Sequence, residues 1–73
     1  MTEEVLNYND QLHYKGFTGS IEWDEDNNLW HGSIQGIADF VTYEGYFFID
    51  LELAFVESVE DYLATKEVYH DQM

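Results

Sequence analysis

The feature that most constrains this chain is a change of hydrophobic period partway along it. From Tyr14 to Trp23 the period is two: Phe17, Gly19, Ile21 and Trp23 share one face, and Gly16, Thr18, Ser20 and Glu22 share the other. Successive side chains of an extended chain point to opposite faces, so this alternation predicts a half-buried strand. Asp24-Glu25-Asp26-Asn27-Asn28 follows. Asx side chains bond to nearby backbone and tolerate left-handed conformations, which makes this stretch a turn. Leu29 to Ile34 resumes the alternation, with Trp30, Gly32 and Ile34 on one face. Strand, Asx-rich turn and strand together predict an antiparallel hairpin. Gln35-Gly36 permits another turn, residues 38–44 have the composition of a third strand, and Glu44-Gly45 ends it.

From residue 47 to residue 64 the period becomes helical. At about 100° per residue, Phe48, Leu51, Phe55, Val59 and Tyr62 fall on one arc, with Asp50, Glu57 and Asp61 opposite. This helix is expected to pack on the sheet against Ile21, Trp23, Trp30, Ile34, Phe40 and Tyr43. The expected fold class is α+β, a three-stranded antiparallel sheet with one helix packed on one face, in the order β-β-β-α. Residues 1–12 read as an N-terminal arm or short edge element, 13–65 as the domain, and 66–73 as a C-terminal tail in which Val68 and Tyr69 offer a short strand. No internal repeat or linker interrupts the chain.

Charge decides which partners suit such a frame. Sixteen Asp and Glu stand against two Lys and no Arg in 73 residues, a formal net charge of −14. A chain with two cations has no means of gripping a phosphate backbone, so direct nucleic-acid binding is not expected. An anionic membrane surface would repel it. A basic protein partner suits it, because a field of this sign steers cationic surfaces toward it. Acidic chains that stay disordered are poor in apolar residues, whereas this one is 45% apolar and 18% aromatic and is expected to fold. Cysteine and proline are both absent, so no disulfide or thiolate site is available. Neither a membrane-length apolar run nor a signal-peptide pattern is present, and the expected location is the cytoplasm. The core is small, and self-association, for instance as a homodimer, is a common remedy.

The chemistry-bearing residues point away from catalysis. Two-metal nuclease chemistry needs several carboxylates converging on two ions. Asp24, Glu25 and Asp26 instead sit in a turn, and Asp50, Glu57 and Asp61 run along one exposed helical stripe. His13, His31 and His70 lack the spacing of a zinc site. The acidic turn lacks the glycine and the final glutamate of a calcium-binding loop, and no nucleophile motif is present. No metal, no cofactor and no enzymatic activity are therefore expected. Charge display remains: carboxylates on a folded surface imitate a phosphate array and pair with a partner's Lys and Arg. The charge also exceeds the roughly 2–8 units that solubility asks of a small domain.

Several segments in order resemble one family. Tyr14-Lys15-Gly16-Phe17-Thr18-Gly19-Ser20-Ile21-Glu22 resembles the first strand of HicB-type antitoxins. Trp30-His31-Gly32-Ser33-Ile34-Gln35-Gly36-Ile37 resembles the second strand and its turn, and Val41-Thr42-Tyr43-Glu44-Gly45 the third. Ala54-Phe55 and Val59-Glu60-Asp61-Tyr62-Leu63 resemble the family's helix. The resemblance runs without gaps from about Tyr14 to Leu63. It implies a partial ribonuclease-H-like fold without ribonuclease catalysis, and a partner of the HicA type, a small basic mRNA-cleaving toxin. Family members usually add a C-terminal DNA-binding segment. This sequence ends at Met73, so the expectation is an inhibitory unit without that segment. Tyr46-Phe47-Phe48-Ile49 also stands where the family tends to have a polar helix cap, whose loss costs roughly 1 kcal/mol.

Two versions of one function follow. In the first, the chain is a HicB-like antitoxin that neutralises its toxin. In the second, a phage or mobile element uses the domain as an anti-CRISPR-type DNA mimic that blocks a host nuclease complex. Both place partner binding on Asp24, Glu25, Asp26, Asp50, Glu57, Glu60 and Asp61. A second apolar arc on the helix, Ile49, Leu53 and Val56 with Tyr46 at its head, reads either as the flank of a broad core face or as an apolar interface for self-association or a partner, because exposed apolar patches mark contact sites.

Overall fold

A computed structural model of the chain describes the backbone of residues 5–71 and the side chains of residues 5–65. Six strands precede one helix: β1 (Leu6–Tyr8), β2 (Gln11–Tyr14), β3 (Phe17–Ser20), β4 (Glu22–Asp24), β5 (Leu29–Gln35), β6 (Thr42–Gly45) and α1 (Phe48–Asp71). The class is α+β, but the sheet has six strands rather than three, and the β-β-β-α order is corrected accordingly.

Two tight turns account for two of the three extra strands, β1 and β2. Asn9-Asp10 and Lys15-Gly16 each join strands through two residues, and all four have positive φ: 56° and 59°, then 51° and 82°. That is the backbone of the hairpin turn whose twist matches the flanking strands. The pairing follows as Leu6↔His13 and Tyr8↔Gln11, then Leu12↔Gly19 and Tyr14↔Phe17. The stretch expected as an arm or edge element thus holds β1 and the start of β2, and Tyr14 and Phe17 belong to different strands.

The expected hairpin about the Asx turn forms, with the register Glu22↔His31, Trp23↔Trp30 and Asp24↔Leu29. β3 pairs with β5 in that same register, Thr18↔Gln35 and Gly19↔Ile34. β3 and β4 are therefore two stretches of a single strand line, interrupted at Ser20 and Ile21. The Tyr43 hydroxyl occupies the interruption and donates to the Ser20 carbonyl at 2.8 Å, while the Ser33 N–H donates to Ser20 Oγ at 3.0 Å. Gly32 lies against this spot, where a Cβ would collide with the Ser20 carbonyl and the Tyr43 hydroxyl. Burial pushes the Tyr43 hydroxyl well above the ordinary phenol range. β6 closes the other side of β5, Trp30↔Gly45 and Gly32↔Tyr43. The whole is an antiparallel meander.

The helix lies across one face of this meander. Leu51, Phe55 and Val59 are fully buried against Leu12, Tyr14, Ile34 and Tyr43. Phe48 meets Trp30 edge-on at 5.2 Å, and Tyr62 meets Phe17 edge-on at 5.7 Å. These are the residues the helical period selects. Phe40 is a correction: it is 88% exposed, because β6 begins at Thr42 and residues 36–39 bend outside the sheet. Gly45 is likewise a buried strand residue rather than a breaker. Its missing side chain lets the first helical turn approach, since a Cβ there would meet Asp50 and the Leu51 N–H. The helix runs beyond the expected residue 64 to Asp71. No helix among the described residues is long and apolar enough to cross a membrane.

Candidate protein-binding surface

The fold sorts the seven candidate carboxylates into two kinds. Three have work inside the molecule. Asp24 closes the β4–β5 turn: its Oδ1 accepts the Asp26 and Asn27 N–H groups at 3.1 and 3.3 Å, and its Oδ2 accepts Asn27 Nδ2 at 2.8 Å. The Asn27 side chain first, then these backbone bonds and the charge of His31, hold the Asp24 carboxyl below the usual carboxylate range. Asp50 accepts the Phe47 N–H at 3.2 Å, which makes it the back-bonding acid of a helix start. The sequence lacks a polar residue before the helix, and this acid within the first turn takes up an end group instead.

Glu60 is the third. Its Oε2 lies 2.8 Å from Lys15 Nζ and accepts the Tyr14 hydroxyl at 2.6 Å. Lys15 first, and Tyr14 second, hold its carboxyl below the usual range. The pair ties the β2–β3 turn to the helix. Glu60 is thus a structural residue as much as a displayed charge, and the sequence reading did not assign it that role.

Glu25, Asp26, Glu57 and Asp61 are exposed. The strands order the acids as well. The β4–β5 turn follows the Asp24↔Leu29 pair, and β6 ends at Gly45 opposite Trp30. The turn acids and the helix start with Asp50 therefore share one end of the sheet. The helix then carries Glu57, Glu60 and Asp61 toward the β2–β3 turn at the other end. On the sheet face away from the helix, Glu22 and Glu44 stand on either side of His31 in one cross-strand row. Neither glutamate figured among the candidates; both sit on the polar phase of the strand alternation, which is the signal that marks them. Among the described residues, no group of three His, Asp or Glu is placed to hold a metal ion.

The apolar candidates divide as well. Ile49 and Leu53 are 58% and 55% exposed, and Tyr46 is 71% exposed. Val56 is partly buried and packs against the core. Phe47, 72% exposed, joins this surface. Trp23, 47% exposed, leans on Trp30 with ring centroids 4.9 Å apart. Trp30 in turn touches Phe48, so a run of aromatic rings marks the end of the sheet where the helix begins. The sequence signal for Phe47 is its place ahead of the first core residue of the helix. An isolated aromatic at such a site has no period to assign it.

The surface therefore combines exposed carboxylates with exposed aromatic and aliphatic side chains on a packed frame. It can bind another protein through charge at its rim and apolar contact at its centre. Comparison with protein-family models, curated proteins and solved structures yields no match to the chain.

Proposed function

We propose that the chain is a non-catalytic protein inhibitor that covers the basic surface of a nucleic-acid-handling protein, in the manner of a HicB-like antitoxin masking a HicA-like mRNA-cleaving toxin. The observation that carries this reading is the balance of charge on a folded frame. Sixteen carboxylates face two Lys in the sequence, and one of those Lys already pairs with Glu60. The acids stand outside the core, since no charged residue among those described is buried. Such a surface offers Lys and Arg the charge-assisted partners that phosphates offer them. It also excludes nucleic acid from the same site by mass action.

The test is inhibition of a small basic ribonuclease of the HicA type. Stoichiometric addition of the chain is expected to abolish mRNA cleavage, and inhibition should weaken steeply as salt rises. Reversing charge at Glu25, Glu57 and Asp61, which are exposed, is expected to weaken inhibition by about tenfold or more while the far-UV spectrum stays native. Full inhibition by the charge-reversed chain would overturn the reading, as would magnesium-dependent cleavage of RNA by the chain alone.

A further inference from the structure

The outer face of α1 has an order that net charge does not describe. At about 100° per residue, Ile49, Leu53 and Val56 form one narrow ridge, and Glu60 and Ala64 continue its line. Asp50, Glu57 and Asp61 run beside it on one flank, and Glu52 stands on the other. Ile49 and Leu53 are the exposed members of the ridge, with Tyr46 and Phe47 at its head. Farther along, Val56, Glu57, Glu60, Asp61 and Ala64 line a shallow hollow. The apolar ridge spans Ile49 to Val56, about 10 Å, and the line continued by Glu60 and Ala64 spans about 22 Å, at 1.5 Å per residue.

We infer that this face is a docking site for a basic amphipathic helix, one whose apolar stripe covers Ile49, Leu53 and Val56 and whose Lys or Arg reach the bordering carboxylates. The inference rests on the reading of the chain as a binder of a basic protein, and names the element of the partner that is recognised. Two observations select this occupant. The ridge is straight, narrow and helical in spacing, and helices pack by laying such ridges into each other's grooves. The helix contributes one sign only to the border: from Phe48 to Thr65 it holds Asp50, Glu52, Glu57, Glu60 and Asp61 and no Lys or Arg, and of these Glu60 is already paired with Lys15. A second copy would therefore set this row of carboxylates against itself, between molecules of net charge −14 each. A cationic helix turns the same row into a set of rim ion pairs. This is the helix-in-groove mode, read through anchors at i, i+4 and i+7.

The experiment uses the full chain and a synthetic peptide of about 18 residues, long enough to cover the face. Its Leu and Lys are placed at helical spacing to give one apolar stripe, and a second peptide has the same composition scrambled around the helix. Affinities are measured by calorimetry, and the contacts by methyl resonances of Ile49, Leu53 and Val56. The patterned peptide is expected to bind at least about tenfold more tightly than the scrambled one, and Leu53→Ser or Ile49→Ser to remove about tenfold of its affinity. Both positions are exposed, so native melting of these variants is expected alongside. Equal binding of the two peptides, or affinity unchanged by both substitutions, would overturn the inference. So would concentration-dependent self-association that Leu53→Ser abolishes, which would make a second copy the occupant. Ribonuclease inhibition that persists through these failures leaves the inhibitor reading standing; loss of inhibition in the wild-type chain overturns that reading by itself.

Discussion

Gly32 and Gly36 make opposite demands on the same residue type. Gly36 has φ of 75° with open space around it, so a side chain there meets only backbone strain, of about 1–2 kcal/mol. Gly32 has an ordinary φ but no room: the Ser20 carbonyl and the Tyr43 hydroxyl fill the place of a Cβ. Gly32→Ala is expected to cost about 3 kcal/mol, more than Gly36→Ala, because the obstacle includes backbone; urea denaturation of the two variants gives the order. Glu60 makes a prediction in pH. Its folded-state pKa is lowered by Lys15 and Tyr14. The stability it adds is therefore present above the unfolded pKa and is lost as pH falls through the folded one. Glu60→Gln is expected to lower Tm at pH 7, and the gap from wild type should close below the usual carboxylate range; equal gaps at pH 7 and pH 3 would contradict the assignment. This pair was not legible in the sequence. Lys15 and Glu60 lie 45 positions apart and meet only because β2 and the helix pack together.

The helix was the most legible element. Phe48, Leu51, Phe55, Val59 and Tyr62 keep one arc over four turns, and a pattern of that length outweighs local exceptions. The hairpin about Asp24 to Asn28 was legible for a similar reason, since two alternating runs flank five turn-forming residues. β1 and β2 were not. They have three and four residues, too few for alternation to stand out from chance. Their turns place Asn9, Asp10 and Lys15 in the left-handed region, where composition is a weaker guide than it is for glycine. Phe40 misled in the other direction, since an aromatic in a β-rich stretch suggests burial, yet the strand starts two residues later. The helix start was half legible. Its acid at Asp50 lies three residues after Phe47, which is the spacing of a back-bonding acid, although the usual polar cap is missing. Asp50→Ala is expected to destabilise the chain by roughly 1 kcal/mol through the lost end bond and its charge at the helix N-terminus. Circular dichroism melts of this variant and of Asp50→Asn, which keeps an acceptor, separate the bond from the charge.

As a whole, the molecule is a small core under a large excess of one charge. Among the described residues, seven side chains form its buried centre, and a core of this size stabilises a domain only marginally. Mutual repulsion among the carboxylates opposes the compact state. Screening should therefore help: raising sodium chloride from about 20 mM to about 500 mM shortens the Debye length from tens to a few ångströms, and Tm is expected to rise. A fall in Tm would mean that the Lys15–Glu60 pair and the turn bonds outweigh the repulsion. The same excess also bears on β1, at the margin of the sheet with Leu6, Asn7 and Tyr8 all exposed. Among the described residues no strand pairs with its outer edge, and an open edge is the kind of template on which chains stack end to end. β1 itself has neither a lysine nor a proline to blunt it. Long-range repulsion between molecules is then its guard, and that guard disappears near the isoelectric point of about 4.1. In mild acid the chain meets its own kind without the barrier, and fibrillar assembly seeded at Leu6–Tyr8 is the route this geometry opens.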